Sequence, residues 1–248
     1  MRHLMSPLDF SVEELDKLLD LANDIEKNKI PMLFMMDVIH GFRTLFPIPL
    51  GFGCSFDEIL VEDCSRMAAR EASSYGVQVT FTPMMDYARD ARWGRVMETC
   101  GEDVLVNSRL GAAQIRGFQR DDLSDPENMA TCVKHFAVNN KETNRKQSDS
   151  RLSQRALREI YLKAFQGALE NEVGNGVMFA YTRWGTQWSG SVPGLAHIMR
   201  TEWNNNGLNI TDNVLTAYVN SLDGIFGAMT TCDSMLAFMP IGNLQGFE

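Results

Sequence analysis

Short apolar runs that each end on a polar or charged residue recur along this 248-residue chain, and they constrain its fold more than any other feature. Met32 to Met36 closes on Asp37, and Val77 to Phe81 leads into Pro83 and Asp86. Ala130 to Val133 leads into Lys134 and His135, and Gly176 to Ala180 into Tyr181. Leu208 to Thr211 leads into Asp212, and Gly227 to Thr231 into Asp233. Helical patterns fill several of the gaps. Residues 11–28 open with an S-x-x-E capping box, Ser11 and Glu14, and carry Leu15, Leu18, Leu19 and Ala22 as an apolar stripe. Residues 58–75 end at Gly76, a residue suited to a helix C-cap. Residues 153–171 place Leu157, Ile160, Ala164, Phe165, Ala168 and Leu169 on one side. Short buried strands alternating with helices mean parallel βαβ units. Six such units predict an α/β chain folded as a (β/α)8-type TIM barrel or an incomplete version of one, and one domain over residues 1–248.

Several function classes lose support at this level. No GxGxxG or GxxxxGK[ST] follows a strand, so a nucleotide-binding sheet lacks its phosphate cradle, and no cofactor is expected. The net charge is −9 without a Lys/Arg cluster, which argues against nucleic acid and against an anionic membrane surface. The five cysteines are scattered, with no C-x-x-C pair, and read as thiols in a reducing compartment. His3, His40, His135 and His197 show no metal-binding spacing, so no metal is expected. No apolar stretch reaches the roughly 20 residues that span a bilayer. The start of the chain lacks the apolar core of a signal peptide. The expected location is therefore cytoplasmic.

In a parallel barrel all strand C-termini point to one face, and that face carries the active site. The strands deliver Asp37, Asp86, Lys134, His135, Tyr181, Asp212 and Asp233 there. Such a set suits a polyhydroxylated ligand, because carboxylates and cationic side chains hydrogen-bond hydroxyls, and a tyrosine offers an apolar plate with a polar tip. Plainer readings stay open for some of them. Asp86 also reads as a turn cap, Asp233 as the cap of a following helix, and His135 as a satisfied core histidine. Asp37 and Asp212 are harder to dismiss, since a lone charge ending a buried strand is costly without a partner or a function.

The blocks around these residues resemble glycoside hydrolase family 3. DVIHGFRTLFPIPLGFGCSFD, from Asp37 to Asp57, is similar to the D-x-x-H-G and T-x-F-P-x-P opening of that family's barrel. FTPMMDYARDARWGRVMETCGED, from Phe81 to Asp103, resembles its RDPRWGRxxExxGED block, with Ala91 in place of the usual proline. CVKHFAVNNKETNR (Cys132 to Arg145) resembles its KHF segment, and LSQRALREIYLKAF (Leu152 to Phe165) the helix after it. MFAYTRWGTQWSG (Met178 to Gly190) and IMRTEWNNNGLNITD (Ile198 to Asp212) complete six blocks in order. The resemblance implies a retaining, exo-acting β-glycosidase, chiefly a β-glucosidase. It implies Asp212 as the nucleophile. It implies Asp37, Arg95, Lys134, His135 and Arg145 as ligands of one sugar ring, with Tyr181 beside the nucleophile. The implied partner is a β-glucoside or oligosaccharide.

The chain also departs from the family pattern. Asn213 stands where an aromatic residue usually follows the nucleophile, Thr182 where an asparagine often follows the tyrosine, and MTTCDSML (Met229 to Leu236) where AGxDxxL is usual. These changes bear on substrate identity. The acid/base glutamate of most members belongs to a second, α/β-sandwich domain, which is not recognised here. Glu142 is the candidate stand-in, with Glu98 and Glu102 in a block that is usually structural. A homo-oligomer or a partner domain is the other route to that group. The single-domain branch with a histidine acid/base fits poorly, because Lys134-His135-Phe136 continues as AVNNKETNR and Ser148-Asp149-Ser150 is followed by Arg151. A catalytically silent sugar-binding barrel is the alternative to an enzyme.

Overall fold

The computed structural model describes residues 33–145, 148–170, 176–212 and 238–240, together with Ser11, Glu13, Asp16, Lys17 and Asp20. Of the helix expected over 11–28, Glu13, Asp16, Lys17 and Asp20 are helical, and Lys17 reaches Glu13 at 2.7 Å. Glu14 and the apolar stripe of that helix lie outside the described residues.

Six strands form one parallel sheet in the order β1 (Met35–Met36), β2 (Val79–Thr80), β3 (Ala130–Phe136), β5 (Gly176–Phe179), β8 (Asn209–Thr211) and β9 (Phe238–Pro240). Five of them fall on the expected apolar runs. The stretch 227–231, expected as the sixth, lies outside the described residues, and the strand beside β8 is Phe238–Pro240. Neighbouring strands pair in register with Met35 opposite Val79, Val79 opposite Ala130, Cys132 opposite Gly176 and Val177 opposite Asn209. This is the open half of a barrel; among the described residues no pairing closes it.

Helices cover the outer face. α1 (Pro49–Ser55) precedes α2 (Glu58–Ser73), whose first turn is capped by Asp57 accepting from the Leu60 N–H at 3.0 Å. α2 gives way to Gly76 at φ +81°, the left-handed conformation that glycine adopts at least cost. α3 (Val104–Gln119) is capped by Asp103 in the same way. No apolar stripe marked α3 in the sequence, because its buried face is built from Gly111, Ala112, Ala113, Gln114 and Gly117 as much as from Leu110 and Ile115. The expected helix over 153–171 starts at Gln154 under a Ser153 cap, widens to a π turn at Leu157–Tyr161, and ends as α4 (Lys163–Leu169). α5 (Pro193–His197) precedes β8. A small second sheet joins β4 (Asp149–Ser150), β6 (Arg183–Trp184) and β7 (Gln187–Trp188), in the segments that follow β3 and β5.

Two layers of core follow from strand alternation. The helix-facing layer is centred on Phe136, which meets Phe165, Phe179 and Trp203 edge-on at 5.3, 5.7 and 5.9 Å. The concave layer holds Val79, Cys132, Met178 and Ile210, with Met35 packed beside them. Small residues let α2 and α3 approach closely. A Cβ on Gly117 would stand 2.4 Å from the Glu62 carbonyl oxygen and 2.6 Å from the Ser65 Cβ. Gly117→Ala is therefore expected to destabilise the fold by about 1–2 kcal/mol, read as a lower urea midpoint at constant slope, because the clash is with backbone that cannot rotate away.

Candidate active site

The concave layer explains why distant residues meet. In a strand every second side chain shares a face. Asp37, Lys134 and Asp212 each stand two positions beyond Met35, Cys132 and Ile210, so all three rise above that layer at the C-terminal end of the sheet. Lys134, whose side chain is 4% exposed, hydrogen-bonds and ion-pairs with Asp37, whose side chain is 55% exposed. The pairing anchors the buried ammonium and leaves the Asp37 carboxylate accessible. Tyr181 follows β5 and its hydroxyl is hydrogen-bonded to Asp212. Burial, then the Asp212 charge, push that phenol up, so it stays a neutral donor to the carboxylate. Asp212 itself is 21% exposed, and its backbone N–H donates to the Phe179 carbonyl at 3.4 Å.

Loops bring the cations. Arg95 leaves the segment after β2 and is held by Glu98 through two bonds, Nε to Oε1 at 2.7 Å and an outer nitrogen to Oε2 at 2.5 Å. Its remaining nitrogen lies 3.1 Å from Nε2 of His135. Glu98 is partly buried, which raises its carboxyl, but the Arg95 bonds outweigh burial and it is held below the usual range. Arg145, on the loop after β3, stacks over the Tyr181 ring at 4.7 Å and donates to Glu142 at 3.2 Å. Glu142 also accepts from the Trp93 indole at 3.3 Å. Nε2 of His135 stands 3.9 Å from Asp212 Oδ2, so the imidazole sits between Arg95 and the carboxylate. Asp37, Arg95, Lys134, His135, Arg145, Tyr181 and Asp212 are thus drawn to one end of the sheet, with Glu142 behind Arg145.

Asp86 belongs to this cluster as well. The Met85 N–H donates to the Lys134 carbonyl at 2.7 Å, which clamps the chain after β2 onto β3 and sets Asp86 against His135. Asp86 is buried rather than a surface turn cap. Glu98, named from the sequence only as a carboxylate in a block that is usually structural, contributes by holding Arg95.

Among the described residues no group of three His, Cys, Asp or Glu is placed to hold a metal ion. No described helix is long and apolar enough to cross a membrane. A cavity of about 480 Å³ opens at the opposite end of the sheet, beside Gln78, Val79, Thr131, Gly176 and Leu208. It lies at the starts of the strands, away from the titratable cluster, so the chemistry and not this hollow marks the site.

The family model described as "Glycosyl hydrolase family 3 N terminal domain" matches residues 10–229. The chain belongs to glycosyl hydrolase family 3. It is 31% identical over 201 residues to the "Periplasmic beta-glucosidase" of Salmonella typhimurium, covering 81% of this chain and 26% of that relative. It is also 31% identical over 222 residues to the "Beta-xylosidase" of Formosa agariphila, covering 80% and 30%. The Listeria innocua β-glucosidase solved in complex with glucose is 38% identical with a TM-score of 0.76, over 82% of this chain and 29% of that one. The chain therefore spans about a quarter to a third of the length of these family 3 relatives. The likeness supports the half-barrel, since the matched solved structure superposes on most of this chain.

Proposed function

We propose that this chain carries the nucleophile half of a retaining, exo-acting β-glycosidase, most simply a β-glucosidase that removes terminal non-reducing β-D-glucosyl residues, with β-xylosyl as the second sugar. The observation that carries this reading is Asp212, accessible at the end of β8, oriented by the Tyr181 hydroxyl and faced by His135. In the proposed step an Asp212 oxygen attacks the anomeric carbon. The bond to the leaving oxygen breaks, and its electron pair leaves with the aglycone, which needs a proton. Water then attacks the same carbon and breaks its bond to Asp212, releasing the sugar and the free carboxylate, while the water's proton passes to the group that protonated the aglycone or to solvent. Asp37, Lys134, Arg95 and His135 supply acceptors and donors that would grip the hydroxyls of one ring, and an unpaired buried partner would penalise the wrong isomer.

A retaining mechanism needs a second carboxyl about 5–5.5 Å from the first. Within this chain Glu142 is the candidate, but Arg145 and Trp93 already occupy it as an acceptor. That engagement favours a proton donor supplied from a partner domain or subunit, and it supports the second reading, a sugar-binding barrel without turnover. The test is intact mass after incubation with a 2-deoxy-2-fluoro-β-glucosyl donor bearing a good leaving group, which needs little acid assistance. The expected result is the gain of one fluoroglucosyl group on the peptide containing Asp212. Absence of labelling with glucose still bound leaves the silent barrel. Absence of both labelling and glucose binding sinks both readings.

A further inference from the structure

Oδ2 of the buried Asp86 accepts twice from one residue. The backbone N–H of His135 donates at 3.0 Å, and ring Nδ1 lies at 2.8 Å. On the other side of the ring, Nε2 lies 3.1 Å from the Arg95 guanidinium. A guanidinium only donates, so Nε2 must be the acceptor and the ring proton must sit on Nδ1. Asp212 Oδ2, at 3.9 Å, is too far to claim a proton from Nε2. The titratable and charged groups facing the ring are Asp86, Arg95, Lys134, Arg145 and Asp212, and burial with the three cations keeps the imidazole neutral.

We propose that Asp86 is a positioning residue of this site: it locks His135 in the Nδ1–H tautomer, so that Nε2 presents a lone pair and the ligand group that meets it must be a hydrogen-bond donor. The ligand half of this inference rests on the glycosidase reading, where the donor is a sugar hydroxyl that takes over the lone pair now facing Arg95; the tautomer half does not. The lock does not depend on the charge of Asp86. A protonated carboxyl can carry its hydrogen on Oδ1 and still accept both N–H groups at Oδ2. Fully buried Asn139 lies next to that carboxyl, outside strict hydrogen-bond geometry.

The test is ¹⁵N NMR of the chain labelled at its four histidines, with His135 assigned by His135→Gln. The expected wild-type pattern is a protonated Nδ1 and an unprotonated Nε2. Asp86→Asn keeps that pattern, because the amide oxygen can take both N–H groups. Asp86→Ala moves the proton toward Nε2 and weakens glucose binding by roughly 10- to 100-fold, the scale seen when a group that orients a histidine is lost. The asparagine variant retains most of the affinity, a rescue that a bulk structural role would not produce. A proton on Nε2 in the wild type overturns the proposal, as does Nδ1–H retained in a folded Asp86→Ala. Should Asp86→Ala fail to fold, Asp86→Asn decides, and Nε2–H there overturns it. A chain with the expected tautomer that takes no fluoroglucosyl label refutes the glycosidase reading and leaves the assignment of Asp86 standing.

Discussion

Asp212→Ala is expected to abolish fluoroglucosyl labelling and to cut turnover of dinitrophenyl β-glucoside by roughly 10⁴-fold or more, the loss that follows removal of a covalent nucleophile. The substitution leaves the strand pairing alone. The backbone N–H of residue 212 donates to the Phe179 carbonyl, and β8 pairs with β5 through Val177, Met178 and Phe179. The variant should therefore show the wild-type circular dichroism and urea midpoint while losing chemistry. Tyr181 would then donate to water in place of the carboxylate. Added azide should restore part of the turnover by attacking the vacated face, giving an α-glycosyl azide. The dinitrophenyl leaving group matters, because it departs without a proton and so isolates the nucleophile from the acid. Turnover that survives in Asp212→Ala would remove this residue from the mechanism.

Stability should fall as pH rises from about 6.5 to about 8, and Asp86→Asn should remove the fall. Burial pushes the Asp86 carboxyl up to about 8, against the pull of the His135 N–H, Arg95, Asn139 and Lys134. Burial, with Lys134, Arg95 and Arg145, drives His135 well below its usual value. An unfolded Asp ionises near pH 4 and an unfolded His near 6.5, roughly. Between those values the unfolded pair holds one proton on histidine and the folded pair one on aspartate, so the pair contributes no slope. Above about 6.5 the unfolded pair holds none while the folded pair still holds one, and stability declines by about 1.4 kcal/mol per pH unit until Asp86 ionises. The whole decline is roughly 2 kcal/mol. Asparagine resembles the neutral acid and cannot ionise. Urea titrations at pH 6 and pH 8 should find Asp86→Asn close to wild type at the lower pH and more stable at the higher. Parallel profiles for the two proteins would refute the assignment of a protonated, buried Asp86.

Much of the architecture could be read from local pattern. A strand two to seven residues long with a polar residue at its end is a short-range signal, and β1, β2, β3, β5 and β8 lie on runs whose composition marked them. The same runs put Asp37, Lys134, Tyr181 and Asp212 at strand ends before any contact was known. α3 escaped notice because a helix buried through glycine, alanine and glutamine has no apolar stripe to detect.

The sequence by itself determined the parallel βαβ order, the family, and the face on which the carboxylates and cations would gather. Only the tertiary structure decided which of them touch. Asp86 and His135 are 49 positions apart, and Lys134 and Asp37 are 97 apart. Whether Asp86 is a turn cap or the partner of an imidazole depends on how the chain after β2 docks on β3, and no local pattern records that docking. Burial is likewise a property of the assembled core. It turns His135 into a neutral acceptor and raises Asp86, and it arises only when strands and helices from distant parts of the chain have closed around both.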